Sequence, residues 1–371
     1  MNVEEKMKFA VSKNDLVNTL AIVLRGTSLR STLPILSGIL VDVRDGKAVF
    51  QTTDFEISIK HTIPVDVQEP GKTVIPGKLF SDIIKSLPDA AVTIESSGDI
   101  VTISCMDSSF TLSTLNAADF PYFPEVNTSL SITLPTKDIE KAVNCVGRAA
   151  SKDDSRPILT GVLFIVENGS ARCVATDSYR LAYADLETNI QGVEDFQAII
   201  PGKIFEGVAK AASTEDDITI SFSDNQIVFV FGNTIFVSRK IEGTYPNYKQ
   251  LLPKDKVCVA EIDTSSIITA IKRVALLAQA HTPVKLSFSV ENQEVTISSR
   301  TQDIGGATEK VKANITGESL EIAFNHQYIL DGLQVIDGDT IFELQASLKP
   351  GIIKSSENKN YLYLTMPVRL S

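Results

Sequence analysis

The 371-residue sequence is poor in cysteine and histidine, the residues that build zinc sites, disulfide frameworks and many acid–base sites. Its four cysteines (Cys105, Cys145, Cys173 and Cys258) include no CxxC pair, which predicts structural thiols rather than a zinc site or disulfides. The three histidines are His61, His281 and His326. None has a cysteine or carboxylate at metal-ligand spacing, so we expect no metal.

Long apolar runs are also missing. No stretch approaches the roughly 18 to 20 uninterrupted apolar residues of a membrane span, and residues 1–6 lack the apolar core of a signal peptide. With 43% hydrophobic and 22% charged residues, the composition is that of a globular protein. We therefore expect a cytoplasmic protein without a membrane partner.

No catalytic constellation stands out either. There is no GxxxxGK[ST] phosphate loop, and the Pro-Gly-Lys segments at 76–78 and 201–203 lack a preceding glycine-rich loop. The adjacent carboxylates at 153–154 and 216–217 would point to opposite faces of a strand, so solvated turns are the better interpretation. The sequence predicts no catalytic residues, no cofactor and no enzyme.

The charge balance is acidic, with 46 acidic and 35 basic residues and a net charge of −11. This argues against a protein that binds nucleic acid through massed phosphate contacts, because that mode favours a basic surface overall. A localised basic face on an acidic body stays possible.

What the chain does contain is a repeat of about one third of its length. Four segments recur in the same order at a nearly constant offset: 33–38 at 156–161, 53–54 at 176–177, 73–80 at 197–205, and 119–122 at 244–247. A fainter third copy includes 284–288 and 322–329. A unit of this length buries a core of its own, unlike a solenoid repeat. We predict three domains, at 1–127, 128–254 and 255–371.

Hydrophobic periodicity predicts two helices in each copy. The predicted helices are 13–25, 76–87, 136–149, 201–212, 264–278 and 325–336. In the first copy we predict strands at 39–43, 48–51, 56–61, 63–67, 92–96, 100–105 and 110–115. Asp45-Gly46 predicts a hairpin turn, and Pro64 an edge or a bulge. The fold class is therefore α+β, with helices packed on antiparallel sheets.

The predicted helices carry basic residues at recurring places. They are Lys13, Arg25, Lys78, Lys85, Lys137, Lys141, Arg148, Lys203, Lys210, Lys272 and Arg273. On any single helix a solvated face explains them. If like domains stand side by side, however, these bases line one surface while the acidic excess lies elsewhere.

Several motifs resemble one family. They include Thr32-Leu33-Pro34-Ile35-Leu36, Asp119-Phe120-Pro121, Arg156-Pro157, Thr176-Asp177-Ser178-Tyr179-Arg180-Leu181, Tyr245-Pro246-Asn247-Tyr248 and the ending Met366-Pro367-Val368-Arg369-Leu370. Together with the triplication, they resemble the bacterial DNA polymerase III beta subunit, the sliding clamp, from Met7 onward. The resemblance implies a head-to-tail homodimer closed into a ring of six domains around duplex DNA. It would be a processivity factor with helices lining the hole, associated with the nucleoid.

The resemblance also implies a hydrophobic cleft that receives short peptide motifs. The partners would be the DNA polymerase III alpha subunit, the clamp loader, and other polymerases and repair proteins with clamp-binding motifs. The matching residues are Leu159, Thr176, Ser178, Tyr179, Arg180, Leu181, Pro246, Leu251, Leu364, Met366, Pro367, Val368 and Arg369. Leucine, methionine, valine and proline suit an adaptable apolar trough, and Arg180 and Arg369 would offer donors to a peptide. The alternative for 366–370 is a plain edge strand at a chain end.

For DNA contact, the resemblance points to Arg30 and Lys152 in loops, and the helices add Lys85, Arg148, Lys203 and Lys210. Ring closure would pack Phe110 and Leu112 against Leu276 and Leu277. Residues 104–115 contain no basic side chain, which departs from relatives with interfacial ion pairs and favours apolar packing. Residues 1–6 and Ser371 are further departures.

Two other functions stay open from the sequence. A multidomain scaffold could bind peptides without enclosing DNA, and a monomeric mass would favour it. A hydrolase would need a convergent nucleophile and base, which the sequence does not show.

Overall fold

The computed structural model describes residues 6–28, 31–126, 129–278, 283–301 and 304–369. The chain divides into two compact units. Unit 1 comprises Met1–Thr136 and Gly207–Lys240, and unit 2 comprises Lys137–Glu206 and Ile241–Ser371.

Seven α-helices occur in the described ranges. They are α1 (Lys13–Val23), α2 (Gly77–Ser86), α3 (Thr136–Val146), α4 (Pro157–Thr160), α5 (Gly202–Ala211), α6 (Thr264–Val274) and α7 (His326–Leu333). All six predicted helices are present, and α4 is an additional single turn. The helices predicted at α1, α3 and α6 extended too far at their C-terminal ends. In the structure each of these α-helices is followed by a 3-10 turn, at Leu24–Gly26, Gly147–Ala149 and Ala275–Leu277. None of these described helices is long and apolar enough to cross a membrane.

Within the described ranges the strands form four sheets, and every strand pair is antiparallel. The first ten strands are β1 (Met7–Ser12), β2 (Gly38–Arg44), β3 (Lys47–Thr53), β4 (Ile57–Pro64), β5 (Asp66–Glu69), β6 (Gly71–Pro76), β7 (Ala91–Ser97), β8 (Ile100–Cys105), β9 (Ser108–Ser113) and β10 (Leu130–Pro135). The next seven are β11 (Gly161–Glu167), β12 (Ser170–Thr176), β13 (Arg180–Asn189), β14 (Phe196–Pro201), β15 (Asp217–Phe222), β16 (Gln226–Phe231) and β17 (Thr234–Arg239). The last nine are β18 (Cys258–Asp263), β19 (Val284–Ser289), β20 (Glu294–Thr301), β21 (Gly305–Lys312), β22 (Asn314–Gly317), β23 (Leu320–Phe324), β24 (Asp339–Leu344), β25 (Gly351–Ser355) and β26 (Tyr361–Thr365).

Unit 1 contains a five-stranded sheet in the order β5-β1-β7-β8-β9 and an eight-stranded sheet in the order β10-β15-β16-β17-β4-β3-β2-β6. Helix α1 packs on α2, and its apolar stripe of Leu16, Leu20 and Val23 is fully buried. The eight-stranded sheet joins strands from predicted domain 1 with strands that follow residue 128, so it extends across the first predicted boundary.

Unit 2 contains a nine-stranded sheet in the order β14-β11-β12-β13-β26-β25-β24-β18-β22 and a four-stranded sheet in the order β21-β20-β19-β23. The nine-stranded sheet likewise joins strands from both sides of residue 254. The limits 1–127, 128–254 and 255–371 stay a prediction.

One predicted strand was wrong. Residues 63–67 do not form a strand of their own, because β4 continues through Ile63 to Pro64, and β5 begins at Asp66 in the other sheet. The last residue of β4 paired with β17 is His61, opposite Thr234. At Pro64 that side of β4 is therefore unpaired, and the missing proline N–H costs no ladder hydrogen bond.

Two hairpin turns reveal the repeat in three dimensions. Asp45 and Gly46 both have positive φ, +51° and +74°, as the predicted hairpin turn requires. Asn168 and Gly169 connect β11 to β12 with φ of +52° and +76°. The second copy thus uses the same turn at the corresponding place.

Candidate functional site

The floor of the predicted cleft is formed by the neighbouring strands β13 and β26 of unit 2. Arg180 pairs with Thr365 and Leu181 with Leu364. Leu181 and Leu364 are 1% and 3% exposed and belong to an apolar cluster with Tyr245 and Tyr248. The floor is therefore rigid, packed sheet.

One wall is a tight turn just before β13. The Thr176 hydroxyl donates to the Arg180 carbonyl at 2.6 Å. One oxygen of Asp177 accepts the backbone amides of Tyr179 at 2.9 Å and Arg180 at 3.0 Å. Ser178 takes a φ of +80° at the tip, and Tyr179 is left 58% exposed. The turn thus presents an aromatic ring to solvent on a well-bonded backbone.

The C-terminal segment lies beside this turn. The backbone amide of Met366 donates to the Tyr179 carbonyl at 2.8 Å, and that of Val368 donates to the Ala323 carbonyl at 2.8 Å. Met366 is 41% exposed, Pro367 and Val368 are half-buried, and Arg369 is exposed. This segment is therefore held by backbone bonds on both sides of Pro367.

The remaining predicted cleft residues lie next to members of the same cluster. Leu159 is buried in α4, where its neighbour Ile158 packs on the cluster. Exposed Pro246 follows Tyr245, whose hydroxyl accepts the Thr176 amide at 3.1 Å. Leu251 is 49% exposed and precedes Leu252, which is partly buried and packs against the cluster. Exposed apolar side chains over a packed apolar base are typical of a peptide-binding surface.

Arg180 does not have the free donors that we expected. Its side chain is 9% exposed, and its Nε and Nη1 donate to Asp177 at 3.0 Å and to Asp331 at 2.5 Å. The guanidinium carbon lies 4.5 Å from the ring centre of Tyr328. Burial alone would lower the pKa of Arg180, but Tyr363 and the two carboxylates raise it above its ordinary value. Arg180 therefore stabilises the wall of the cleft from behind, and its contact with a ligand stays a prediction.

Five side chains at this site were missed from the sequence: Tyr245, Tyr248, Tyr328, Asp331 and Tyr363. The Tyr-Pro-Asn-Tyr segment could have indicated the first two. The ring of Tyr328 stacks with that of Tyr179 at 6.4 Å between centroids, and the Tyr363 hydroxyl donates to the Tyr328 carbonyl at 2.8 Å. No sequence signal marks Asp331, which lies 151 residues from its partner Arg180.

The predicted DNA-binding residues lie on exposed helix faces and in loops. Helix α2 buries Phe80, Ile83 and Ile84 and exposes Lys78 and Lys85. The other predicted bases that the structure describes, Lys152, Lys203, Lys210 and Arg148, are all exposed. Arg30 lies outside the described residues.

Some helix bases are already paired with carboxylates. Lys141 lies 2.7 Å from Glu187, Arg148 lies 3.5 Å from Asp331, and Arg273 pairs with Glu309. At half-exposed positions such pairs contribute only about 0–1 kcal/mol. The Lys141–Glu187 pair, with both side chains about half exposed, is therefore weak, whereas the Asp331 carboxylate that faces Arg148 is only 10% exposed.

The four predicted interface residues lie at two places. Phe110 is 37% exposed and Leu112 half-buried on β9, which is an edge strand whose one partner among the described residues is β8. Leu276 is 82% exposed and Leu277 half-buried in the turn after α6. An unpaired edge with an exposed phenylalanine is a template for association.

The four cysteines and His61 have ordinary structural environments. No group of three potential metal ligands occurs among the described residues. His61 lies 2.8 Å from the Thr234 hydroxyl, and His281 lies outside the described ranges. All four cysteines are buried free thiols, and burial raises the pKa of Cys145 to about 11.

Comparison with known proteins places this geometry in one family. Three family models match consecutive parts of the chain: the N-terminal domain of the DNA polymerase III beta subunit at residues 7–124, the central domain at 133–247 and the C-terminal domain at 249–369. The beta sliding clamps of Staphylococcus epidermidis and Staphylococcus aureus are each 35% identical over 375 residues, covering 98% of this chain and 99% of theirs.

Solved structures agree with these matches. The DNA polymerase sliding clamp of Bacillus subtilis superimposes with a TM-score of 0.91 at 32% identity, covering 98% of this chain and 100% of that one. The sliding clamp of Pseudomonas aeruginosa bound to griselimycin superimposes with a TM-score of 0.90 at 29% identity and the same coverage.

Proposed function

Because the chain belongs to the DNA polymerase III beta subunit family, we propose that it acts as a processivity clamp. Two copies join head to tail into a ring of six like domains that encircles duplex DNA. The ring tethers the replicative polymerase and catalyses no reaction itself. The observation that carries the proposal is the consecutive match of all three family domains from residue 7 to residue 369.

The cleft is the docking site for partner proteins in this proposal. Exposed Tyr179 and Met366 lie beside buried Leu181 and Leu364, and this combination suits a short apolar peptide. Griselimycin, bound by the Pseudomonas aeruginosa relative, is a practical probe. The natural partners would be the DNA polymerase III alpha subunit, the clamp loader, and other polymerases and repair proteins that carry clamp-binding motifs.

DNA would be contacted by the exposed bases of the helices. A ring linked topologically to DNA needs only weak, sequence-independent phosphate contacts, and these also permit sliding. The net charge of −11 is compatible with such contacts, because the acidic excess can lie away from Lys85, Lys203 and Lys210. Such a clamp would be found with the nucleoid.

Ring closure would join two edge strands. β9 carries no charged side chain and exposes Phe110, and β21 is one of the two edge strands in the described part of the four-stranded sheet. Antiparallel addition of one edge to the other would pack Phe110 and Leu112 near Leu276 and Leu277 of the second copy. Apolar packing, rather than ion pairs, would then hold the ring closed.

The decisive experiment measures topology. The protein is loaded onto nicked circular DNA with a clamp loader and ATP, and the circle is then linearised. Release on linearisation supports a closed ring. Failure to load, together with a monomeric mass, would favour the peptide-binding scaffold instead.

A pair of variants tests closure. Phe110→Asp should shift the mass in solution from dimer to monomer and abolish retention on circles, while griselimycin binding persists. Leu348→Asp, which changes an apolar residue that is 62% exposed and belongs to neither edge strand, should leave dimer and retention unchanged. A Phe110→Asp protein that remains dimeric would remove β9 from the interface.

A further inference from the structure

One carboxylate in unit 2 is shared between two arginines that belong to different predicted surfaces. Asp331 on α7 accepts the Nη1 of Arg180 on one oxygen at 2.5 Å. Its other oxygen lies 3.5 Å from the Nη1 of Arg148, in the turn after α3. Arg180 is a predicted cleft residue, and Arg148 is a predicted DNA-binding residue.

The surroundings of Asp331 fix its position. It is 8% exposed, and the Gln327 side-chain amide donates to it at 3.0 Å. The Arg148 side chain is 51% exposed, whereas that of Arg180 is 9% exposed. Asp331 therefore holds one buried and one accessible guanidinium at the same time.

The pairing decides where the Arg180 guanidinium lies. Asp177 fixes its Nε and Asp331 its Nη1, and the group then packs on Tyr328. Tyr328 in turn stacks with the exposed Tyr179. A continuous set of contacts thus runs from Asp331 to the aromatic rim of the cleft.

We propose that Asp331 is a positioning residue with two effects of opposite sign. It holds Arg180 behind the cleft and so preserves the shape that a ligand binds, and it neutralises Arg148 and so weakens the attraction of that surface for phosphate. The proposal rests on the proposed function, because it takes the cleft and the basic helix surface as binding sites. No bond is made or broken, and the only change is in which charges are paired.

The test uses the Asp331→Asn variant, which keeps the size of the side chain and removes its charge. Without the charge Arg180 is held less firmly, and the dissociation constant of griselimycin should rise about tenfold. Arg148, no longer paired with a charged Asp331, should strengthen binding to a short linear DNA duplex a few-fold. The slope of the logarithm of DNA affinity against the logarithm of salt concentration should steepen by about one. Weaker binding of griselimycin together with tighter binding of DNA cannot result from a loss of folded protein, because that loss would weaken both.

Two further variants complete the design. Glu318→Gln removes an exposed carboxylate between β22 and β23 of the same unit and should change neither affinity more than about twofold. In the double variant Arg148→Ala/Asp331→Asn, the gain in DNA affinity should disappear while the loss of griselimycin affinity remains. That separation assigns each effect to its own arginine.

Several results would overturn the proposal. Griselimycin affinity equal to that of Glu318→Gln would show that Asp331 does not shape the cleft, and unchanged or weaker DNA binding would show that it does not restrain Arg148. A wild-type protein that binds neither probe would refute the proposed function instead. In that case the NMR signals of the Nε–H groups of labelled arginines still test the shared contact. Asp331→Asn must shift the signals of both Arg148 and Arg180, and signals that stay in place would contradict the pairing with Asp331.

Discussion

The backbone amide of Met366 donates a hydrogen bond to the carbonyl of Tyr179, at 2.8 Å. This bond continues the pairing of β26 with β13 by one residue beyond Thr365. It brings the end of the chain against the turn whose tip is Ser178. Two exposed side chains of the cleft, Tyr179 and Met366, therefore belong to residues joined by one backbone bond, and the methionine side chain can be changed without touching that bond.

Met366→Ala should raise the dissociation constant of griselimycin about tenfold. The change removes the apolar contact that the side chain offers and leaves the backbone bond in place. Calorimetric titration measures the effect, and the dimer mass should stay unchanged. Met106→Ala is the matched control, since Met106 is 74% exposed in unit 1 and should have no effect on ligand binding. Equal affinities for the two variants would remove Met366 from the cleft.

A second prediction concerns the hairpin between β8 and β9. Met106 has a φ of +51°, and the first turn residue has a positive φ in three other hairpins: Asp45 between β2 and β3, Asn168 between β11 and β12, and Gly232 between β16 and β17. A methionine tolerates this conformation less well than asparagine, and little burial is lost because its side chain is so exposed. Met106→Asn should therefore raise the free energy of unfolding by about 0.5–1 kcal/mol.

Urea unfolding of the purified protein measures this gain. Leu348→Asn serves as the control, because Leu348 is 62% exposed and is not among the positive-φ residues of the described chain. It should bring no gain. A Met106→Asn variant no more stable than wild type would mean that the turn carries no strain.

Periodicity predicted the helices of this fold well, because amphipathic stripes such as Leu16, Leu20 and Val23 on α1 are local patterns. The internal repeat predicted the equivalence of the copies, and the turns at Thr53-Asp54 and Thr176-Asp177 confirm it. In both turns the aspartate accepts two backbone amides, and the next residue has a positive φ.

The sequence could not predict what depends on distant partners. The continuous sheets of both units join segments far apart in the chain, and no local pattern indicates such pairing. The same is true of the site. The motif resemblance led to Arg180, but only the fold shows that Asp331 occupies its donors. The prediction of three helix ends was wrong for a local reason. The 3-10 turns after α1, α3 and α6 keep the apolar spacing of a helix, so periodicity does not distinguish them from a further α-helical turn.

A third prediction concerns alkaline pH. Burial raises the pKa of Cys145 from 9.0 to about 11, and it also raises the pKa values of Cys173, Tyr245 and Tyr363. The folded state therefore favours the protonated forms. Their stabilising contribution is complete below the ordinary pKa values of the unfolded chain and is lost as pH rises from about 9 towards 11.

The free energy of unfolding of unit 2 should thus fall between about pH 9 and pH 11, by about 2 kcal/mol for Cys145 alone. Urea titrations across this range measure it. Cys145→Ala should show a smaller decline with pH, although it is less stable at neutral pH because it leaves a cavity. An identical decline in both proteins would mean that Cys145 keeps an ordinary pKa.

The last prediction contrasts two ion pairs of unit 2. Arg172 and Asp185 face each other across β12 and β13, and two nitrogens of the guanidinium donate to the carboxylate at 2.5 and 2.8 Å. Arg172 also donates to the Tyr248 hydroxyl at 3.3 Å and lies 4.3 Å from the ring centre of Tyr183. This pair is two-thirds buried, whereas Lys249 and Glu167 are joined by one contact at 3.1 Å with more than half of each side chain exposed.

Asp185→Asn should therefore lower the free energy of unfolding by about 1–2 kcal/mol, because it weakens a bidentate, partly desolvated pair that also holds Tyr248 in the apolar cluster. Glu167→Gln should cost at most about 0.5 kcal/mol, since an exposed single contact is screened by water. Arg172→Lys should resemble Asp185→Asn, because an ammonium cannot form the paired contacts. Equal small losses for Asp185→Asn and Glu167→Gln would mean that the packing of Tyr248, and not the ion pair, sets the stability of this sheet.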